Sequence, residues 1–326
     1  MRSRTTIIFV VLAALTALLL LVDIGAGSVK LSIGEVADAL LGRGDNPATT
    51  KIVVDIRLTK GIVAIIAGIA LSVSGLQMQT LFRNPLAGPY VLGISSGASL
   101  GVALVVLAGV SASLGMTGAA LVGSAVVLAL IAVAGRRLKD IMVVLILGMM
   151  VSSAISAIVQ ILQYMSSDEA LKSFVIWTMG SLGNVTSDQL PILAVTVAVG
   201  LILAVATTKS LNLLLLGEEY AVTMGYDNSR GRTMILVSTA LLAGSVTAFC
   251  GPIGFVGLAL PHVARVAFGT ADHRVLIPGA ALTGAAVMLG CDIVSKLFVI
   301  PVNAVTALVG IPIVIWIVFR NRQIAV

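Results

Sequence analysis

The chain has 326 residues, 59% of them hydrophobic and 10% charged, with a mean hydropathy of +1.13. Soluble domains carry about a quarter charged residues, so a soluble globular protein is excluded and an integral membrane protein is expected. The net charge of +6 does not point to nucleic acid, because the basic residues stand singly or in pairs between apolar runs rather than clustering with aromatics on one face.

A transmembrane helix needs roughly 20 mostly apolar residues. Runs of that kind lie near 6–25, 62–82, 92–110, 117–135, 141–163, 190–208, 233–250, 253–268, 276–297 and 302–319. Met1-Arg-Ser-Arg4 followed by Ile7–Val22 reads as an uncleaved first span, since no small-residue cleavage site follows and nine more apolar runs do. The polar stretches near 25–60, 164–190 and 208–232 have room for short helices only, so one transmembrane domain over residues 1–326 is expected. At the end of the first stretch, Arg57-Leu-Thr-Lys60 sets two cations on one helical face at the membrane surface. They can anchor on lipid headgroups or receive carboxylates from a soluble partner.

Between Leu211 and Arg232, Gly217 and Gly225 bracket a short helical stretch, Glu218–Met224, with two carboxylates in its first turn, where the helix dipole favours them. Interfacial helices that lie on lipid favour basic residues, so Glu218-Glu219 reads instead as a docking helix for a protein partner. The run Gly251-Pro-Ile-Gly-Phe-Val-Gly-Leu-Ala-Leu-Pro-His-Val-Ala-Arg265 is apolar enough for a bilayer but is interrupted by two prolines, three glycines, a histidine and an arginine. Broken helices at membrane depth occur where the freed backbone is buried in protein or lines a cavity, a mark of transporters. Further on, Asp292 lies inside a predicted span with Lys296 one turn later, an i,i+4 pair that lets both charges stay in the membrane.

Several chemistries lack their residues. His262 and His273 are eleven positions apart with no acidic or cysteine company suited to a metal site, and no P-loop is present. Cys250 and Cys291 lie in apolar context and read as buried free thiols. No span carries the acidic relay of an ion-coupled secondary transporter of small organic solutes, the alternative reading, and no nucleophile–base cluster marks an enzyme.

The positive-inside rule orients the chain. With the N-terminus in the cytoplasm, Arg2, Arg4, Arg83, Arg136, Arg137, Lys139, Lys209, Arg230, Arg232, Arg265, Arg274, Arg320 and Arg322 fall inside. Lys30, Arg43, Lys51, Arg57, Lys60, Lys172 and Lys296 fall outside, most of them in one long first loop. The expectation is an all-α polytopic membrane protein of about ten transmembrane helices with both termini cytoplasmic.

A series of motifs carries a resemblance. In chain order they are Arg57-Leu-Thr-Lys60, Gly68-x-x-Leu-x-x-Ser-Gly-x-x-x-Gln79, Arg83-Asn-Pro-Leu-Ala-Gly-Pro-x-x-Leu-Gly93 and Gly97-Ala98. Then come Trp177-x-x-Gly-Ser181, Leu216-Gly-Glu-Glu-Tyr-Ala-x-x-x-Gly225, Phe255-Val-Gly-Leu-x-x-Pro-His-x-x-Arg265, Asp272-His-Arg274 and Thr306-Ala-x-x-Gly-x-Pro312. Over nearly its whole length the chain resembles the FecCD-type permeases, subunits of binding-protein-dependent ABC importers for iron–siderophore complexes, haem and cobalamin. The resemblance implies a permease of the prokaryotic cytoplasmic (inner) membrane, working as a homodimer or with a paralogue. A cytoplasmic ABC ATPase dimer binds ATP-Mg, an extracytoplasmic binding protein delivers substrate, and the permease itself holds no cofactor or metal and does no catalysis.

By resemblance, Leu216, Gly217, Glu218, Glu219, Tyr220, Ala221 and Gly225 form the ATPase-coupling segment, and Arg57, Lys60 and Lys296 receive the binding protein. Ser95, Ser96, Ala98 and Ser99 are placed on the translocation path, and Asn84, Pro85, Pro261, His262, Arg265 and Asp292 are structural or gating residues. The chain departs from the family pattern in having lysine at 60 and 296, where arginine is usual, and in Asn303, where glycine is common. Lysine keeps the charge but not the forked geometry.

Overall fold

The fold, taken from a computed structural model, is described for residues 2–27, 29–44, 46–110, 115–138, 140–217, 223–224 and 228–321. The helices are α1 (Arg2–Gly25), α2 (Ile33–Leu40), α3 (Pro47–Lys51), α4 (Thr59–Leu81), α5 (Ile94–Val106), α6 (Gly115–Arg137) and α7 (Ile141–Met165). They continue with α8 (Asp168–Thr178), α9 (Leu190–Ala206), α10 (Thr208–Leu214), α11 (Asn228–Cys250), α12 (Val256–Phe268), α13 (His273–Phe298) and α14 (Val302–Asn321). A π-helical stretch, Ile52–Leu58, joins α3 to α4. Helices thus stand at all ten predicted places, and among the described residues the polar stretches hold short elements, α2, α3, α8 and α10 with the π-helical Ile52–Leu58 and a 3₁₀ turn, Leu182–Asn184.

Length divides them. Six, the continuous Pro47–Leu81 among them, are long and apolar enough to cross a bilayer alone, and α9 with α10 makes a seventh bent by 51°. The runs Ile94–Val106, Val256–Phe268 and Val302–Ile317 are shorter. Two of these short helices follow sharp turns, the second of them in the interrupted run 251–265. Before α5 the chain makes a 3₁₀ turn, Pro89–Leu92, and Gly93 at φ 78°. Before α12 it turns through Gly251 at φ 74° and Phe255 at φ 65°.

Burial orders the bundle into centre and rim. In Pro47–Leu81 and in Arg230–Cys250, 78% of the most apolar window is buried, and in α13 61%; the figure falls to 11% in α1, 22% in α6 and 28% in α7. The centre is therefore α4, α11 and α13, with α1, α6 and α7 outside. Lipid offers no hydrophobic drive for helix association, so close approach must supply the attraction through packing. Gly68 of α4 meets Gly284 of α13 backbone to backbone, and Gly97 of α5 meets Gly123 of α6; a Cβ at any of the four would overlap the facing carbonyl.

The break at 251–255 is enclosed by its neighbours. Ser181 N–H donates to the Cys250 carbonyl (2.7 Å), and Gly254 N–H donates to Asn303 Oδ1 (2.9 Å). Asn303, the residue that departs from the family pattern, thus caps a freed backbone group. Both cysteines are buried free thiols.

Candidate functional site

Three places collect the residues that can carry function. The first is a cavity of about 250 Å³ between α5, α7 and α8, lined by Ser95, Ser96, Ser99, Ser156, Gln160, Gln163 and Thr178, with Ile155, Val159 and Phe174. Its polar groups are neutral hydroxyls and amides, so its wall offers many weak hydrogen bonds and no fixed charge. Helix spacing explains who lines it. Ser95, Ser96 and Ser99 lie at i, i+1 and i+4 and share a face, while Ser156, Gln160 and Gln163 repeat at four and three along α7. Ala98 does not belong there: it is fully buried on the packed side of α5, beside the Gly97–Gly123 crossing. Sequence reading missed Ser156, Gln160 and Gln163, although their 3–4 spacing on a span with large exposed apolar neighbours was a usable signal.

The second place is an ion cluster joining α1, α4 and α13. Lys296 Nζ lies 2.7 Å from Asp23 Oδ2 and 2.9 Å from Asp292 Oδ2, and Lys60 Nζ lies 3.0 Å from Asp292 Oδ1. Both carboxylates are fully buried, Lys296 is 9% exposed and Lys60 21%. The i,i+4 pairing of Asp292 and Lys296 is as the spacing predicts. Arg57 differs from its expectation as an outward cation. It is 4% exposed, and its guanidinium donates to the carbonyls of Ile24 and Gly25 (3.0 Å each) and to Val29. The last turn of α1 leaves carbonyls without intrahelical donors, and the fork of Arg57 satisfies them, so this charge is spent inside the fold. Among the three cations, only Lys60 presents appreciable surface. Sequence reading missed Asp23, whose place at the end of the first span concealed its partner 273 residues away. The sequence shows no acidic relay along any one span, but the fold brings two acids from different spans together: Asp23 and Asp292 converge on one ammonium. Two lysines, Lys60 and Lys296, stand against these two carboxylates.

The third place is the opposite end of the bundle, where α10 leads into the predicted coupling segment. Of that segment, Leu216 and Gly217 are described; Glu218, Glu219, Tyr220, Ala221 and Gly225 lie outside the described residues. Leu216 is exposed. The root of the segment is pinned by polar side chains. Asn212 Oδ1 accepts from His273 N–H (2.9 Å) and faces His273 Nδ1 (2.8 Å), while its Nδ2 donates to Asp272 Oδ1 (2.7 Å). His273 Nε2 meets Thr80 Oγ1 of α4 at 2.9 Å. Asp272 also caps α13 through Arg274 N–H (2.9 Å). That backbone bond, then Asn212, holds its carboxyl below the usual carboxylate range. The loop of the Arg83-Asn-Pro motif is tied in nearby. Asn84 Oδ1 accepts from Leu86 N–H (2.9 Å), and His262 Nε2–H donates to the Pro85 carbonyl (2.7 Å). Gln79 accepts from Arg265 (2.6 Å) and donates to the Leu258 carbonyl (2.9 Å), so one side chain clamps α4 to the proline-containing α12.

The sequence pattern of the FecCD transport family matches residues 15–320. The chain belongs to that family. Among its FecCD relatives is the hemin transport system permease protein HmuU of Yersinia pestis, 36% identical over 317 residues, 94% of this chain and 95% of that one. Another is the vitamin B12 import system permease protein BtuC of Escherichia coli O9:H4 (strain HS), 33% identical over 320 residues, 96% and 94% of the two chains. A metal-chelate type ABC transporter solved in an inward-facing conformation superposes with a TM-score of 0.86 at 30% identity, covering 96% of this chain and 99% of that one. As a FecCD permease with this many apolar helices, the chain is a multi-pass protein of the cytoplasmic membrane. The all-helical architecture expected from the apolar runs is shared with that solved transporter.

Proposed function

We propose that this chain is the permease subunit of an ABC importer that passes a bulky metal chelate or corrinoid, such as an iron–siderophore complex, haem or cobalamin, into the cytoplasm. One observation carries the reading: end-to-end likeness, in sequence and in fold, to permeases named for haem and vitamin B12 and to a metal-chelate transporter. The polar cavity of α5, α7 and α8 supports it. A rigid chelate has to slide rather than bind, and uncharged hydroxyls and amides give contacts weak enough to release.

The chain needs no covalent chemistry of its own. ATP-Mg acts on a separate ATPase dimer seated on residues 216–225 at the cytoplasmic face, and both termini lie on that side. Nucleotide binding changes the partner's affinity for one state of the permease, and only this difference can shift the outward–inward equilibrium. The root of the segment is tied to α13 through Asn212 and Asp272, and His273 carries the tie to α4. Movement of the segment therefore reaches α4 and α13, two of the three central helices, directly. A delivery protein meets the other face at Lys60, the partly exposed member of the ion cluster. A second copy of the chain, or a paralogue, completes the path.

The test is purification with the ATPase and binding protein encoded beside it, followed by ATPase assays with each candidate chelate. Stimulation by one loaded binding protein establishes class and substrate together. Charge reversal at Glu218 and Glu219 should abolish that stimulation while the permease still inserts and folds. Normal uptake in the reversed variant removes the coupling assignment, and the absence of any co-purifying or stimulated ATPase removes the importer reading.

A further inference from the structure

Arg83 follows the end of α4 with φ 47°. Its N–H donates to the Thr80 carbonyl and the N–H of Asn84 to the Gln79 carbonyl, 3.2 Å each. A helix that ends through a left-handed residue usually places glycine there, because a side chain in that conformation is strained. The arginine is exposed, and its guanidinium meets no hydrogen-bond or ion-pair partner among the described residues. A strained backbone position holding an uncommitted cation calls for a ligand.

Arg83 and Leu214 line two adjoining cavities. One, of about 330 Å³, adds Phe82, Ile141, Asp140 and Arg232 to its wall. The other, of about 250 Å³, adds Leu215 and Arg265. Among the described residues, the two walls together carry three guanidiniums and one carboxylate, and Asp140 already accepts from Met142 N–H (2.8 Å) as the cap of α7. The cavities sit where membrane-crossing stretches end: one ends at Leu81, one begins at Ile141 and one at Arg230. An apolar floor with cationic walls at the end of the spans matches an amphiphile whose head is an anion.

We propose that Arg83, with Arg265 and Arg232, seats the phosphate of an anionic phospholipid at this end of the bundle. Guanidinium forks match phosphate oxygens pairwise, and basic pockets between transmembrane helices hold anionic headgroups. Acyl chains then lie along Phe82, Ile141, Leu214 and Leu215. The seat touches the last turn of α10, so the bound lipid braces the root of residues 216–225. This inference needs only the membrane fold and stands whether or not the importer reading does.

The experiment uses the purified full chain in zwitterionic detergent, titrated with phosphatidylglycerol, with retained lipid counted by native mass spectrometry and stability followed by thermal unfolding. Phosphatidylcholine of the same chains and inorganic phosphate are the comparison probes. Phosphatidylglycerol should bind and stabilise the wild type, phosphatidylcholine should not, and Arg83→Gln should lose on the order of tenfold in apparent affinity, the worth of one charge-assisted contact. Arg83→Gly should lose as much while unfolding no earlier than wild type without lipid, because glycine relaxes the left-handed turn; that separates ligand loss from misfolding. Unchanged phosphatidylglycerol binding in both variants overturns the proposal, as does equal stabilisation by phosphatidylcholine. If inorganic phosphate alone reproduces the stabilisation, the site takes free phosphate and the lipid assignment falls. If the variants instead lose a co-purifying protein with lipid binding intact, the anion is a partner's carboxylate and the proposal is likewise wrong.

Discussion

Lys296 joins two carboxylates from opposite ends of the chain, its Nζ lying 2.7 Å from Asp23 Oδ2 and 2.9 Å from Asp292 Oδ2. Removing one partner from a buried pair leaves an uncompensated charge, which costs roughly 3–5 kcal/mol, far more than the intact pair contributes. Lys296→Met should therefore lower the thermal unfolding temperature in detergent sharply, and Asp23→Asn added to it should recover much of the loss. A Lys296→Met protein as stable as wild type would show that the cluster is not closed in the membrane.

At the other end of the bundle, Asp272 predicts an acid limit. Hydrogen bonds from Arg274 N–H and then Asn212 hold its pKa below the usual aspartate range. A depressed carboxylate contributes stability above its unfolded value and loses it as pH falls through the folded one. The unfolding temperature should thus fall as pH drops below about 3.9, the ordinary aspartate value, and the slope should flatten in Asp272→Asn. At neutral pH, Asp272→Ala should cost about 1 kcal/mol through loss of the α13 cap. Identical slopes in wild type and Asp272→Asn would remove Asp272 from the acid response.

The ten apolar stretches and the break in 251–265 were legible because span length and Pro/Gly punctuation are local properties. Asp292–Lys296 was legible for the same reason, being one helical turn apart. Asp23 was not, since its partner is fixed by how α1 lies on α13. Nor was the fate of Arg57, whose guanidinium is drawn inward by carbonyls that the end of α1 leaves open. Ser95, Ser96 and Ser99 face the polar cavity and Ala98 does not, which periodicity could have told, because position 98 lies outside the 95–99 face. Asn212 gave no signal at all: an isolated asparagine acquires its place only when α10, α13 and α4 come together.

Gly75 tests the packing argument. Pro261 has no N–H to offer the Gly257 carbonyl one turn back in α12, and Gly75 of α4 lies directly against that carbonyl. A Cβ at 75 meets backbone on the facing side, which cannot rotate away. Gly75→Ala should cost roughly 1–3 kcal/mol, and Gly75→Val more, read as earlier thermal unfolding and lower membrane yield. Wild-type stability of Gly75→Val would mean that α4 and α12 sit farther apart in the membrane.

Ser156 tests the path. It is exposed on α7 within the cavity of about 250 Å³ that also holds Ser95, Ser96 and Ser99. A tryptophan there takes up space without touching the Gly97–Gly123 crossing or the ion cluster, so its effect on stability should stay within about 0.5 kcal/mol. If chelates pass this wall, the bulk raises the crossing barrier, and a rise of only about 1.4 kcal/mol is tenfold in rate. Ser156→Trp should then cut uptake in reconstituted vesicles by about tenfold or more, with the protein still folded and still joined to its ATPase. Gln160→Ala, which removes a hydrogen-bonding group but adds no bulk, should change uptake far less. Full uptake by Ser156→Trp would take the α5–α7 cavity off the path and leave it as a cleft on the side of the bundle.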